Sequence, residues 1–162
     1  MTAPDVVTEM FAAYRTSLDS LEGKLGNAFS DAVDLLEGMS GTVVVCGMGK
    51  SGLVGAKITA TLTSTGTPSV FLHPAEAMHG DLGIVRKGDV IILISNSGET
   101  EEITRLLPAL KRLAVRIIAL VGNVDSTMAR AADICLDAAI DKEACPLNLA
   151  PTTSTLAALV LG

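Results

Sequence analysis

Six consecutive residues read Ser95-Asn96-Ser97-Gly98-Glu99-Thr100, which puts three hydroxyls, an amide, an acid and a glycine into one short stretch. Hydroxyl and amide groups donate to phosphate oxygens, and a glycine lets the main chain come close to a ligand. On one side lies an apolar run, Val90 to Ile94, which predicts a buried strand. On the other, Ile103, Leu106, Leu107 and Leu110 recur at i, i+3, i+4 and i+7, the apolar stripe of a helix. The hydroxyls thus fall on the turn from the carboxyl end of a strand into a helix, where unpaired N–H groups and a positive dipole end suit an anion. The competing reading is a capping box, with Asn96 as N-cap and Glu99 three residues on. That reading leaves Ser95, Ser97 and Thr100 without a task. A phosphate cradle built from Ser95, Asn96, Ser97 and Thr100 accounts for more of the residues.

A second turn, Gly47-Met48-Gly49-Lys50-Ser51-Gly52, follows a β-branched run, Thr42 to Cys46. It matches GxGxxG formally, so a dinucleotide site has to be weighed. Such a site wants an acid near the end of the second strand to hold the ribose. Here that strand ends Phe71-Leu72-His73, and Glu76 lies further into the loop. A P-loop needs a glycine five residues before Gly49, where this chain has Val44. What remains is a glycine turn presenting Lys50 and Ser51 near a phosphate-sized cradle. Two further loops carry reactive side chains: 73–83 holds His73, Glu76, His79 and Asp81, and 137–150 holds Lys142, Glu143 and Cys145.

The elements that must position these groups alternate between strand and helix. Strands are expected at Thr42–Cys46, Ser69–Leu72, Val90–Ile94, Val115–Val121 and Ile134–Leu136. Helices are expected from about residue 50 to Thr65, through 103–110 with a kink at Pro108, at about Ser126–Ala131, and from Pro151 to Leu161. Nearly all-apolar strands between helices indicate βαβ units on a parallel sheet covered on both faces. The fold class is therefore α/β: a five-stranded, doubly wound parallel sheet flanked by helices. Ligands on such sheets bind beyond the carboxyl ends of the strands, so the three loaded segments should converge on one rim. Residues 5–39 read as one long helix or two short ones. Phe11, Tyr14, Leu18, Leu21, Leu25, Ala28, Ala32, Leu35 and Met39 form a heptad-like seam weakened by Gly23 and Gly26. That seam could pack on another subunit or on the chain's own sheet.

Composition bounds the function. The chain has 162 residues and 49% apolar content, enough for one domain with a core. A chain of this size buries about 68–70% of its unfolded surface. A net charge of -6 argues against a nucleic-acid partner, and 2% aromatic content removes the stacking platforms of single-strand binders. Cys46, Cys135 and Cys145 are widely spaced, which fits neither a zinc site nor a disulfide framework and suits a reduced, cytoplasmic setting. The opening MTAPDVVTEM has no signal-peptide pattern, and no apolar run is long enough to span a membrane. The final helix is apolar up to Gly162, which suggests a piece of a longer protein.

Four segments together resemble a known family: TVVVCGMGKSG, STGTPSVFLHPAEAMHGDLG, ISNSGETEE and KEACPLNLAPTTST. They are similar to the sugar isomerase (SIS) domain and, more narrowly, to the arabinose-5-phosphate isomerases, over about residues 41–160. SNSGE[ST] alone marks only a phosphosugar-binding SIS domain; the other three segments in one chain are more specific. The resemblance implies conversion of D-ribulose 5-phosphate to D-arabinose 5-phosphate without a cofactor or metal, feeding synthesis of Kdo, a sugar of lipopolysaccharide and some capsules. It implies that Ser51, Ser95, Ser97 and Thr100 hold the phosphate, and that Lys50, Glu102 and Glu143 are active-site residues. His79 falls on the family's HGD position and is expected to face the same pocket.

That chemistry asks for such groups on its own terms. A carbonyl moves between C1 and C2 when a proton is removed from the carbon beside it. A carboxylate serves as the base if burial raises its pKa, and the enediolate oxygen needs a positive or hydrogen-bonding neighbour. Glu143 is the expected base, Lys50 the enediolate stabiliser, and Glu102 the group that orients the sugar or assists proton transfer. The plainer alternatives are a helix N-terminal acid for Glu102 and a loop salt bridge to Lys142 or Arg130 for Glu143.

Members of this family continue through an SHPGG segment bearing a catalytic histidine, and most add a pair of CBS domains. This sequence stops before both. The expectation is a single SIS domain over 1–162, with an N-terminal helical segment at 1–39, the C-terminal end of the domain and any CBS pair being absent. The family commonly forms dimers or tetramers with sites near subunit interfaces, so a homodimer or homotetramer is implied, with a phosphorylated pentose as substrate. Two other readings stand beside it: a phosphosugar-sensing SIS module without activity, and another SIS isomerase such as 6-phospho-3-hexuloisomerase.

Overall fold

A computed structural model of the chain describes residues 2–162. Five strands form one parallel sheet: β1 (Val43–Gly47), β2 (Ser69–Leu72), β3 (Val90–Ser95), β4 (Arg116–Val121) and β5 (Ile134–Asp137), in the order β2-β1-β3-β4-β5. All four pairings are parallel, with Val45 opposite Phe71 and Ile92, and Ile92 opposite Ile118. β1 and β3 are neighbours, and the chain leaves β1 for β2 on one side before crossing to β3 on the other. That junction is the topological switch point of a doubly wound sheet.

Side-chain parity splits each central strand between two cores. Val44, Cys46, Ile91, Leu93, Ile117 and Ala119 face one side, and Val43, Val45, Ile92, Ile94, Ile118 and Leu120 face the other. The first face is covered by α4 (Pro74–Met78), α5 (Glu101–Thr104), α6 (Leu107–Leu113) and α7 (Thr127–Ala131), through Ala77, Ile103, Leu110 and Met128. The second is covered by α1 (Ala3–Lys24), α2 (Asn27–Glu37), α3 (Gly49–Ser64) and α8 (Thr153–Leu161), through Leu21, Ala32, Ile58 and Ala157. Each fully buried aliphatic side chain contributes about 1.5–3 kcal/mol. Among the described residues no helix is long and apolar enough to cross a membrane.

Several expectations are made definite or corrected. The N-terminal segment is two helices, broken at Leu25–Gly26. The buried face of α1 is Ala13, Ser17 and Leu21, spaced by four, while Phe11, Leu18 and Leu25 are exposed. α1 packs on α8, and Ala13 and Ser17 line small clefts shared with Asp141 and Lys142 of the loop after β5. The helix after the hydroxyl cradle is not kinked at Pro108 but divided into α5 and α6. Pro108 has no N–H for the carbonyl of residue 104, so it serves in the first turn of α6. Pro151 stands outside α8, whose N-cap is Thr152. The loop at 73–83 contains α4 and a 3-10 turn at Asp81–Ile84.

Candidate active site

The carboxyl ends of β1, β3, β4 and β5 enclose a cleft of about 210 Å³. Lys50 and Ser51 reach it from the first turn of α3, Asn96 from the turn after β3, Glu143 from the loop after β5, and Ser154 and Thr155 from the first turn of α8. The sequence places these groups there simply. β1 ends in a buried glycine, Gly47, whose Cβ position would lie 2.9 Å from main-chain atoms of Ser51. The chain can therefore fold straight back into α3. Gly49 follows in the left-handed region at φ 58°, and no side chain caps α3. Its first N–H groups face the rim of the sheet, the arrangement that favours an anion.

Beside the cleft the hydroxyls after β3 converge. Ser95 Oγ lies 2.7 Å from Thr100 Oγ1 and 3.4 Å from Ser97 Oγ. The Gly98 amide donates to Ser95 Oγ at 3.1 Å, and the Glu99 amide to Ser97 Oγ at 3.2 Å. Ser95 is buried, and Ser97 and Asn96 are exposed. The capping box is not formed: the N-cap of α5 is Thr100. Glu99 instead accepts from the Thr127 amide at 2.7 Å and caps α7, a bond that lowers its carboxyl pKa. Gly98 has φ 66°, and a Cβ there would lie 2.0 Å from Ser126 Oγ. The close approach that Gly98 permits is thus to Ser126. The Met128 amide donates to the Gly98 carbonyl at 3.1 Å and the Gly122 amide to the Asn96 carbonyl at 2.9 Å. These contacts dock the cradle on the β4–α7 turn.

Glu143 is the most heavily bonded acid in the site. One carboxylate oxygen, Oε2, accepts from the Thr152 amide at 2.7 Å, Thr152 Oγ1 at 3.0 Å and the Ser154 amide at 3.2 Å. The other, Oε1, accepts from Ser154 Oγ. Among the described residues it forms no ion pair with Lys142 or Arg130; Arg130 donates to the Asp125 carbonyl. Burial raises the Glu143 pKa, but the bonds from Ser154 and Thr152 outweigh it, and the net shift is downward. The expected upward shift is corrected: a partly buried carboxylate is held below its ordinary value when several donors stabilise its charge.

Of the sequence-derived residues, Lys50, Ser51, Asn96 and Glu143 line the cleft, and Ser95, Ser97 and Thr100 form the adjoining hydroxyl cluster. The structure does not bring Glu102 or His79 into it. Glu102 is half-buried in α5, and His79 is exposed at the end of α4. His73, at the N-cap of α4, has a buried Nδ1 without a hydrogen-bond partner among the described residues. Cys46 lies inside β1, and burial pushes its thiol pKa up to about 12, so it is a core residue. Among the described residues no group of three His, Cys, Asp or Glu side chains is arranged to hold a metal ion. Sequence reasoning gave no task to Thr152 and Ser154. The signal was present in Pro151-Thr152-Thr153-Ser154, a run of hydroxyls opening a helix.

Comparison with known proteins agrees with this architecture. Curated relatives named arabinose 5-phosphate isomerase KdsD include one from Pseudomonas aeruginosa, 57% identical over 148 residues, which are 91% of this chain and 45% of the relative. Another, from Escherichia coli K12, is 54% identical over 154 residues, 95% of this chain and 47% of the relative. The chain therefore spans about half the length of these relatives. Among solved structures, E. coli CFT073 c3406 in complex with arabinose 5-phosphate superposes with a TM-score of 0.93 at 38% identity, covering 99% of this chain and 87% of that one. A phosphosugar isomerase described as putative and as involved in capsule formation in Bacteroides fragilis gives 0.93 at 37%, covering 99% and 85%. The SIS domain model matches residues 39–162, and the chain belongs to the SIS domain family.

Proposed function

We propose that the protein interconverts D-ribulose 5-phosphate and D-arabinose 5-phosphate through an enediolate, in the cytoplasm, as a homodimer or homotetramer, with the product feeding Kdo synthesis. The observation that carries this reading is the meeting of Lys50 and Glu143 in one cleft beside a cluster of hydroxyls at the switch point of the sheet. The names of the KdsD relatives and the arabinose 5-phosphate bound by the c3406 protein support the substrate.

The phosphate is held by Ser51, Ser95, Asn96, Ser97 and Thr100, with the unpaired amides of α3 facing the same space. Glu143, kept ionised and oriented by the donors of Thr152 and Ser154 rather than made more basic by burial, takes the proton from the carbon beside the carbonyl and returns it to the neighbouring carbon. Lys50 stabilises the negative oxygen that develops between the two transfers. The hydroxyl proton on O1 passes to O2 as the carbon proton moves from C1 to C2 by way of Glu143, and the electron pairs stay within the substrate, so no oxidant or cofactor is consumed. Glu102 orients the sugar or assists proton transfer. His79 belongs to the same site in a form shared between subunits, which suits its place outside the cleft of a single chain.

The test is an isomerase assay on D-ribulose 5-phosphate with arabinose 5-phosphate binding measured by calorimetry in parallel. Glu143→Gln should lower kcat by about 10²–10⁴-fold, the span of a general base, while binding of the aldose phosphate persists. A folded protein that neither binds arabinose 5-phosphate nor turns over its ketose overturns the substrate assignment.

A further inference from the structure

We infer that Ser154, together with Thr152, is a positioning residue that fixes the Glu143 carboxylate in orientation and charge. This inference rests on the reading of Glu143 as the group that moves the proton.

Glu143 lies in the irregular segment between β5 and α8, which by itself leaves a side chain free to turn. The geometry removes that freedom. Both carboxylate oxygens are bonded to α8 and its N-cap; among the described residues three of the four donors meet Oε2, and the Ser154 hydroxyl is the one donor on Oε1. Ser154 is buried and also lines the cleft, so this bond lies on the substrate side. The clamp is closed from behind. The Ala144 amide donates to Thr152 Oγ1 at 2.9 Å and to Thr153 Oγ1 at 2.8 Å, and the Cys145 amide donates to Thr152 Oγ1 at 3.3 Å. Thr152 Oγ1 therefore accepts from the loop and directs its own proton to Glu143. The segment 143–145 and the first turn of α8 form one unit.

The charged and titratable groups around Glu143 are few. Lys50 faces the cleft from α3, Lys142 precedes it on its own loop, the Cys145 thiol follows two residues later, and Glu9 reaches the far side of that loop from α1. None is ion-paired to Glu143 among the described residues. Hydrogen bonds from Thr152 and Ser154 are thus the groups that hold the carboxylate, and a bond to a charged acceptor is worth more than a neutral one. Removing the Ser154 hydroxyl leaves Oε1 without its donor. The carboxylate then gains freedom to rotate and binds a proton more readily.

The experiment follows Glu143 by carboxyl carbon NMR through an acid titration, alongside the pH profile of kcat. In Ser154→Ala, Glu143 should titrate about one pH unit higher than in the parent protein. The acid limb of kcat should move the same way, and kcat should fall about tenfold with KM little changed. Ser154→Thr keeps the hydroxyl and should restore both. If Ser154→Ala does not fold, Thr152→Val gives the same readouts through the other hydroxyl. An unmoved Glu143 titration in a folded variant overturns the inference, as does a Ser154→Thr variant as impaired as Ser154→Ala. The titration needs no turnover. A parent protein with no isomerase activity therefore counts against the proposed reaction, while the titration still decides the clamp.

Discussion

Gly98 shows how much one residue decides in the hydroxyl cradle. Its φ of 66° disfavours any side chain, and a Cβ would lie 2.0 Å from Ser126 Oγ and 2.4 Å from Ser126 Cβ. Ser126 cannot withdraw easily, because it is fully buried and its Oγ accepts from the Ala129 amide to cap α7. Gly98→Ala should therefore push the cradle off the β4–α7 turn and separate Ser95, Ser97 and Thr100. Calorimetry should show arabinose 5-phosphate binding weakened at least about tenfold, with a stability loss of about 1–3 kcal/mol in urea unfolding. Binding equal to the parent protein would mean that the cradle does not hold the phosphate. Lys50 and Glu143 work at the same scale: neither has an ion-pair partner among the described residues.

At the scale of elements, the start of α8 links stability to pH. Glu143 caps its first turn, and its pKa is held below the ordinary glutamate value by those bonds. A carboxyl depressed in the folded state contributes stability above its unfolded pKa. That contribution is lost as pH falls through the folded pKa. In Glu143→Gln the amide brings two N–H donors toward hydroxyl and amide donors, so the cap is lost at every pH. Urea unfolding should find the variant less stable than the parent at neutral pH, with the gap closing on acidification below the ordinary glutamate range. A gap independent of pH would show that the carboxylate charge contributes nothing. α1 is tied to the same region by Lys24, whose Nζ lies 3.3 Å from Asp137 Oδ2 and donates to the Ala139 carbonyl at 2.8 Å. That contact bridges α1 to the start of the Glu143 loop.

For the whole molecule, the sheet order controls where the chemistry can sit. With β1 beside β3 and the crossovers leaving in opposite directions, the turns after both strands splay apart at their carboxyl ends. The cleft forms there, floored by Ile94 and Leu120. Both belong to the core face that also holds Ile118, which is 1% exposed. Ile118→Ala removes three carbons from the middle of that core and should cost about 2–5 kcal/mol in chemical denaturation. A loss well under that range would mean the face between sheet and α8 can collapse into the gap.

Much was legible in the chain alone. Apolar runs bounded by turn residues located all five strands within about one residue, because buried parallel strands tolerate little else. The alternation of strand and helix determined the parallel sheet, and glycine turns and hydroxyls at strand ends pointed to the rim where the cleft lies. Tertiary structure decided the rest, since it depends on residues far apart in sequence. The buried face of α1 runs through Ala13, Ser17 and Leu21, where the helix meets α8 and the loop after β5, and shares only Leu21 with the heptad-like seam. Glu99 caps α7 rather than its own helix because the β4–α7 turn docks on the cradle. Glu143 is a lowered rather than raised acid because the chain returns nine residues later with the donors of Thr152, and then of Ser154. Local pattern sets the type of each element, because propensity and burial act over a few neighbours. The protonation and partners of a side chain are set by whatever the fold brings against it.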